Sequence, residues 1–138
     1  MPRRSSALLT SLLIIGCGGG GPPPAGTPEA PANEHIRVTA PSPGAVIASP
    51  LTVAGEARGT WYFEASFPVR LVDATGQQLA IVPAQAKGEW MTTDFVPFEV
   101  QLTFAAPPES GGFLILQKDN PSGLPEHADS LVIPVRFR

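Results

Sequence analysis

From residue 35 to the C-terminus, apolar residues recur at every second position in short runs, and proline or glycine interrupts each run. Few folds satisfy that pattern. Period two puts alternate side chains on opposite faces of an extended strand. A helix would need apolar residues three and four apart over ten or more positions, and no such run of useful length occurs. The clearest strand is Phe98, Val100, Leu102 and Phe104 set against Glu99, Gln101 and Thr103. Leu51, Val53, Gly55 and Ala57 share a face opposite Thr52, Ala54, Glu56 and Arg58. Phe67, Val69 and Leu71 alternate with Pro68, Arg70 and Val72. Asp73-Ala74-Thr75-Gly76 then turns the chain into Gln78 to Ala84, which predicts a hairpin.

The remaining strands follow the same logic. Ile36-Arg37-Val38 opens the first, and Pro41-Ser42-Pro43-Gly44 ends it, since two prolines and a glycine do not continue inside a sheet. Val46 and Ile47 predict a brief edge strand. The nearly continuous apolar run Phe113 to Gln117 predicts a central strand covered on both faces, or a barrel-like interior position. Leu131, Ile133, Val135 and Phe137 form the last strand, with Pro134 on the other face, a residue tolerated at sheet edges. Seven strands in about 100 residues predict an all-β fold of two packed sheets around a single core, one domain over 35–138.

The N-terminal part is built differently. Arg3 and Arg4 precede an apolar run, Ala7 to Ile15, that is too short to span a bilayer, which takes about 20 residues. Gly16 then stands before the only cysteine, Cys17. Leu12-Leu13-Ile14-Ile15-Gly16-Cys17 resembles a bacterial lipobox. The resemblance implies that residues 1–16 are a signal peptide, that Cys17 carries lipid, palmitate among the acyl chains, and that the membrane is a partner through it. The alternative is an ordinary secretory signal or an uncleaved anchor. Each buried acyl methylene contributes roughly 0.8 kcal/mol, so one chain anchors marginally and several together effectively permanently. Gly18 is not the aspartate that retains many such proteins in an inner membrane, so the expected address is the outer membrane if the cell has one, otherwise the outer face of the cytoplasmic membrane.

From Gly18 to Glu34 no apolar residue is larger than alanine, and glycine and proline dominate. Such a stretch buries too little surface to offset its ordering entropy, so residues 17–34 are expected to be a disordered tether. Loss of residues 1–16 takes the basic residues from nine to seven against 12 acidic ones, moving the formal charge from −3 to −5. An acidic module of this kind has no electrostatic footprint for nucleic acid. With Cys17 lipidated no thiol remains for a disulfide, so the apolar core alone must hold the fold.

A second resemblance rests on the order of several short motifs. They are Ile36-x-Val38, Pro41-x-Pro43-Gly44, Ser49-Pro50-Leu51-x-Val53-x-Gly55-x-Ala57-Arg58, Trp61-Tyr62-Phe63-Glu64-Ala65, Phe67-Pro68-Val69, Gly76, Phe98 and Lys118-Asp119-Asn120-Pro121-Ser122-Gly123. In that order they resemble the immunoglobulin-like domain of bacterial spore germination proteins. The resemblance implies an immunoglobulin-like sandwich in an envelope lipoprotein, without catalytic residues or cofactor.

Trp61-Tyr62-Phe63 stands out, because three successive large rings cannot all face one core in a period-two strand. Either the segment leaves the sheet and wedges two rings inward, or a ring is exposed and anchors a partner. Trp90-Met91 poses the same choice, and Trp61, Tyr62, Phe63 and Trp90 are therefore the candidate partner-binding residues, for an envelope protein or a cell-wall polymer. Asp119, Glu126 and Asp129 gather in one loop but lack the alternation of a calcium-binding loop, so no metal site is expected. Ser122, His127 and Asp129 are the nearest approach to a nucleophile, base and orienting group, yet they share one loop with no helix or strand to position them, and the chain is read as no enzyme. Three roles follow: a non-catalytic lipid-anchored binding module, a structural subunit of a larger envelope assembly, or a calcium-dependent adhesion module.

Overall fold

The computed structural model describes residues 31–138. The expected signal peptide, the lipidated Cys17 and most of the tether lie outside the described residues. Seven antiparallel strands form: β1 (Ile36–Ala40), β2 (Leu51–Arg58), β3 (Ser66–Asp73), β4 (Gln78–Ala86), β5 (Phe95–Leu102), β6 (Gly111–Gln117) and β7 (Ser130–Arg136). The fold is the all-β sandwich that period two predicts.

The strands run in the order β1-β2-β5-β4-β3-β6-β7 as one ladder, which folds over on itself where β4 meets β5. Only Gln85↔Glu99 and Ala86↔Phe98 pair at that corner, whereas β2 and β5 pair over eight positions from Leu51↔Leu102 to Arg58↔Phe95. One layer is therefore β1-β2-β5 and the other β4-β3-β6-β7. Phe67 of β3 and Phe98 of β5, not neighbours in the ladder, meet edge to face with centroids 5.0 Å apart and an interplanar angle of 86°, which locates the contact between layers.

Alternation delivers the core. Ile36, Val38, Val53, Ala57, Phe67, Val69, Leu71, Leu102, Leu114, Leu116 and Ile133 are all fully buried, and every strand contributes to a single cluster. Residues 31–138 thus enclose one core complete in itself. At roughly 1.5–3 kcal/mol for each fully buried large aliphatic or aromatic side chain, this cluster is the main favourable term opposing chain entropy.

The edges are closed by the flanking chain. Val46 bridges Arg136 in parallel, with Ile47 N donating to Arg136 O at 2.7 Å and Arg136 N to Ala45 O at 2.8 Å, so the brief strand expected at Val46-Ile47 covers β7. At the opposite edge Ala32 pairs with Arg37, and Val38 N donates to Pro31 O at 2.9 Å. The packed body therefore begins a few residues before the composition change at His35. Between these contacts the Asn33 side chain caps a reversal, its Oδ1 accepting from His35 N at 2.7 Å and Ile36 N at 3.0 Å.

β6 is central, lying between β3 and β7, but it is not covered on both faces. Leu114 and Leu116 are buried, while Phe113 is 43% exposed and Ile115 partly so. The continuous apolar run reflects an apolar outer face. No helix among the described residues is long and apolar enough to cross a membrane.

Candidate functional site

Strand direction decides which loops meet. Antiparallel pairing places the connections 59–65, 87–94 and 118–129, together with the start of β1, at one end of the sandwich. The loop 59–65 is the wedge. After β2 the chain makes a single 3₁₀ turn, Gly59–Trp61, and then reverses through Phe63-Glu64-Ala65-Ser66. Phe63 and Ser66 exchange backbone hydrogen bonds at 2.9 and 3.2 Å. Glu64 (φ 50°) and Ala65 (φ 66°) are both left-handed, the geometry of a type I′ hairpin turn, which normally prefers asparagine and glycine.

This path sends two rings inward and one outward. Trp61 is 1% and Tyr62 3% exposed, whereas Phe63 is 41% exposed. Trp61 and Tyr62 both meet Phe67 edge-on, with centroids 6.5 and 5.2 Å away. The Tyr62 hydroxyl donates to Val96 O at 2.7 Å, and burial pushes its ionisation far above the ordinary phenol range. The phenol is thus a structural hydrogen-bond donor.

Loop 87–94 lies directly on that turn. A Cβ at Gly59 would overlap the carbonyl oxygens of Trp90 and Thr92, so only glycine permits the approach. Trp90 is partly buried against the core, and beside it Met91 is 77% exposed. Of the four residues singled out from the sequence, Phe63 and the outer part of Trp90 offer accessible ring, while Trp61 and Tyr62 lie beneath the surface that these loops form.

Three adjoining depressions surround the turn. The most enclosed, about 180 Å³, is lined by His35, Thr60, Trp61, Lys118, His127 and Asp129 among others. Trp61 Nε1 is buried without a hydrogen-bond partner among the described residues. A second depression runs between Phe63 and the 118–122 segment, and a third between Thr60 and Met91. The sequence carries no local sign that His35 and His127, 92 positions apart, would line one cavity; strand pairing brings them together.

The loop that gathers oxygen-bearing side chains uses them on itself. Ser122 Oγ donates to Asn120 Oδ1 at 2.6 Å and accepts from Leu124 N, and Asp129 Oδ1 accepts from Ser130 N at 2.8 Å. Such bonds hold a turn and leave Ser122 uncommitted to His127. Among the described residues no three His, Cys, Asp or Glu side chains are placed to hold a metal ion.

A seven-stranded antiparallel sandwich with a covering segment parallel to its last strand, and loops gathered at one end, defines an immunoglobulin-like domain. The family model described as the immunoglobulin-like domain of bacterial spore germination matches residues 35–123, well over half of the chain. The chain belongs to that family, which is one of immunoglobulin-like domains and not an enzyme family. No curated protein and no solved structure matches it. The matched span stops before β7, although β7 pairs with β6 along its whole length from Gly111↔Arg136 to Gln117↔Ser130.

Proposed function

We propose that this protein is a non-catalytic, lipid-anchored module of the bacterial cell envelope, held on a membrane through Cys17, whose loop end contacts an envelope protein or cell-wall polymer. The observation that carries this reading is the reversal at Asn33. Pro31 and Ala32 run antiparallel to β1, so the chain enters the body heading toward the loop end and comes from the direction of the other end. A tether from Cys17 therefore joins the body away from the loop end and leaves that end, with Phe63 and Met91 exposed on it, free to meet a partner. Exposed aromatic and methionine side chains beside concavities are the residue types that anchor partners.

The test separates anchor from surface. Cys17→Ser should move the protein from membrane to soluble fractions, and retention in the membrane would refute the anchor. Phe63→Ser with Met91→Ser should abolish sedimentation with purified cell-wall sacculi, or crosslinking to an envelope protein, while leaving the melting temperature within a few degrees. Retention of both interactions would refute the surface assignment.

A further inference from the structure

The two outer faces of the sandwich differ sharply in chemistry. On β1-β2-β5, Arg37 pairs with Glu56 at 3.3 Å, and the guanidinium groups of Arg37 and Arg58 lie 3.7 and 4.3 Å from the centroid of the Phe95 ring. That face is wet and its charges are engaged. On β4-β3-β6-β7 one cross-strand row reads Ile81, Arg70, Ile115, Val132, and the next row carries Val72, Phe113 and Pro134. Ile81 is 52%, Val132 51% and Phe113 43% exposed. Val72 is buried at 6%, so the exposed apolar residues come from β4, β6 and β7, with Arg70 of β3 set between Ile81 and Ile115, and such a patch offers a contact surface.

Arg70 is the only charged residue of these two rows, and its Nε is buried without a hydrogen-bond partner among the described residues. It shares a depression with Ile115, Val132 and Asp129. Among the described residues neither Arg70 nor Asp129 belongs to any of the three ion pairs. Arg136, exposed on the same face at the end of β7, belongs to none of them either, so among the described residues this face offers two cations outside the ion pairs, Arg70 and Arg136, and at its margin the carboxylate of Asp129, which lines the same depression as Arg70.

We propose that this face binds a second copy of the chain in a face-to-face dimer. A two-fold axis lying in the interface plane, and bisecting the line from Arg70 to Asp129, sets each Arg70 against the partner copy's Asp129 while the isoleucine and valine rows pack together. Self-complementarity of this kind is what an isologous interface requires. Four strands at about 4.8 Å spacing and about six residues at roughly 3.3 Å give about 400 Å² per copy. Two such faces bury about 800 Å², below the usual range for stable complexes, so the dimer is weak and reversible. Neither lipidation nor the Phe63 and Met91 surface takes part in this contact.

Sedimentation equilibrium of residues 31–138 from about 10 μM to about 1 mM tests it. The expected result is a concentration-dependent monomer–dimer equilibrium that Val132→Lys or Ile81→Lys abolishes at an unchanged melting temperature. Thr52→Lys, on the opposite outer face, should leave it intact. Arg70→Asp and Asp129→Arg should each weaken the dimer about tenfold or more, and the two together should restore it. A protein that stays monomeric at about 1 mM overturns the proposal, as does a dimer indifferent to Val132→Lys. Single charge reversals that the double swap does not rescue overturn the Arg70–Asp129 register.

Discussion

Replacing Trp61 with alanine should cost the protein its stability and only thereby its binding. Trp61 is 1% exposed in the turn that plugs the loop end, and its ring meets Phe67, which in turn meets Phe98 in the other layer. Truncating a buried tryptophan costs about 3–5 kcal/mol through lost transfer energy and the cavity left behind. That is a large share of the about 5–15 kcal/mol typical of a domain. At about 4–8 °C per kcal/mol for a domain near this size, melting should fall by roughly 12 °C or more. Trp61→Phe should cost much less than Trp61→Ala, since it keeps most of the ring volume and deletes an indole N–H that has no acceptor among the described residues. Urea denaturation followed by near-ultraviolet circular dichroism reads all of this, with Phe63→Ala as control; at 41% exposure its loss should stay below about 1 kcal/mol. A Trp61→Ala midpoint within error of wild type, at unchanged slope, would show that the ring is not part of the core and that the wedge argument is wrong.

Three further outcomes follow from particular contacts. Tyr62→Phe removes the hydroxyl donor to Val96 O, which should cost about 0.5–1.5 kcal/mol in the same urea assay. Ala65→Gly relieves a left-handed alanine and should raise stability by about 0.5–1 kcal/mol, measured by the shift in urea midpoint; destabilisation would contradict the I′ turn. The Asp73 carboxyl is held below its ordinary value by the Thr75 hydroxyl first, against the opposing effect of burial, and then by the backbone N–H groups of the 75–77 turn. A lowered folded-state pKa contributes stability that is fully present above about pH 4 and is lost as pH falls through the folded value. Asp73→Asn should therefore destabilise at neutral pH and converge with wild type in acid, as followed by thermal melts across pH; a gap that persists in acid would refute the assignment.

Much of this architecture is local chemistry. Strand β5 is readable because Phe98, Val100 and Leu102 alternate with polar residues, and the 73–77 turn because Asp and Gly supply its hydrogen bonds and its positive φ at Gly76. Val46-Ile47 likewise follows from two apolar residues between breaks. Where pattern fell short, the cause was nonlocal. The run Phe113 to Gln117 carries the same apolar character whether its second face is covered or bare, so periodicity does not distinguish a buried strand from one with an apolar outer face. For Trp61-Tyr62-Phe63 the sequence states that one ring must differ from the others but not which.

Residue order alone determined the strands, their inward faces and the places where the chain turns, because a pleat repeats every two residues and proline and glycine act on their own backbone. Tertiary structure alone decided that Trp61 and Tyr62 lie inside and Phe63 outside, and that His35 and His127 share a cavity. It also decided that Arg70 sits between Ile81 and Ile115. Those relations depend on pairing between strands far apart along the chain, above all β3 with β6. Such pairing is selected by the burial of one shared core and not by any local stretch.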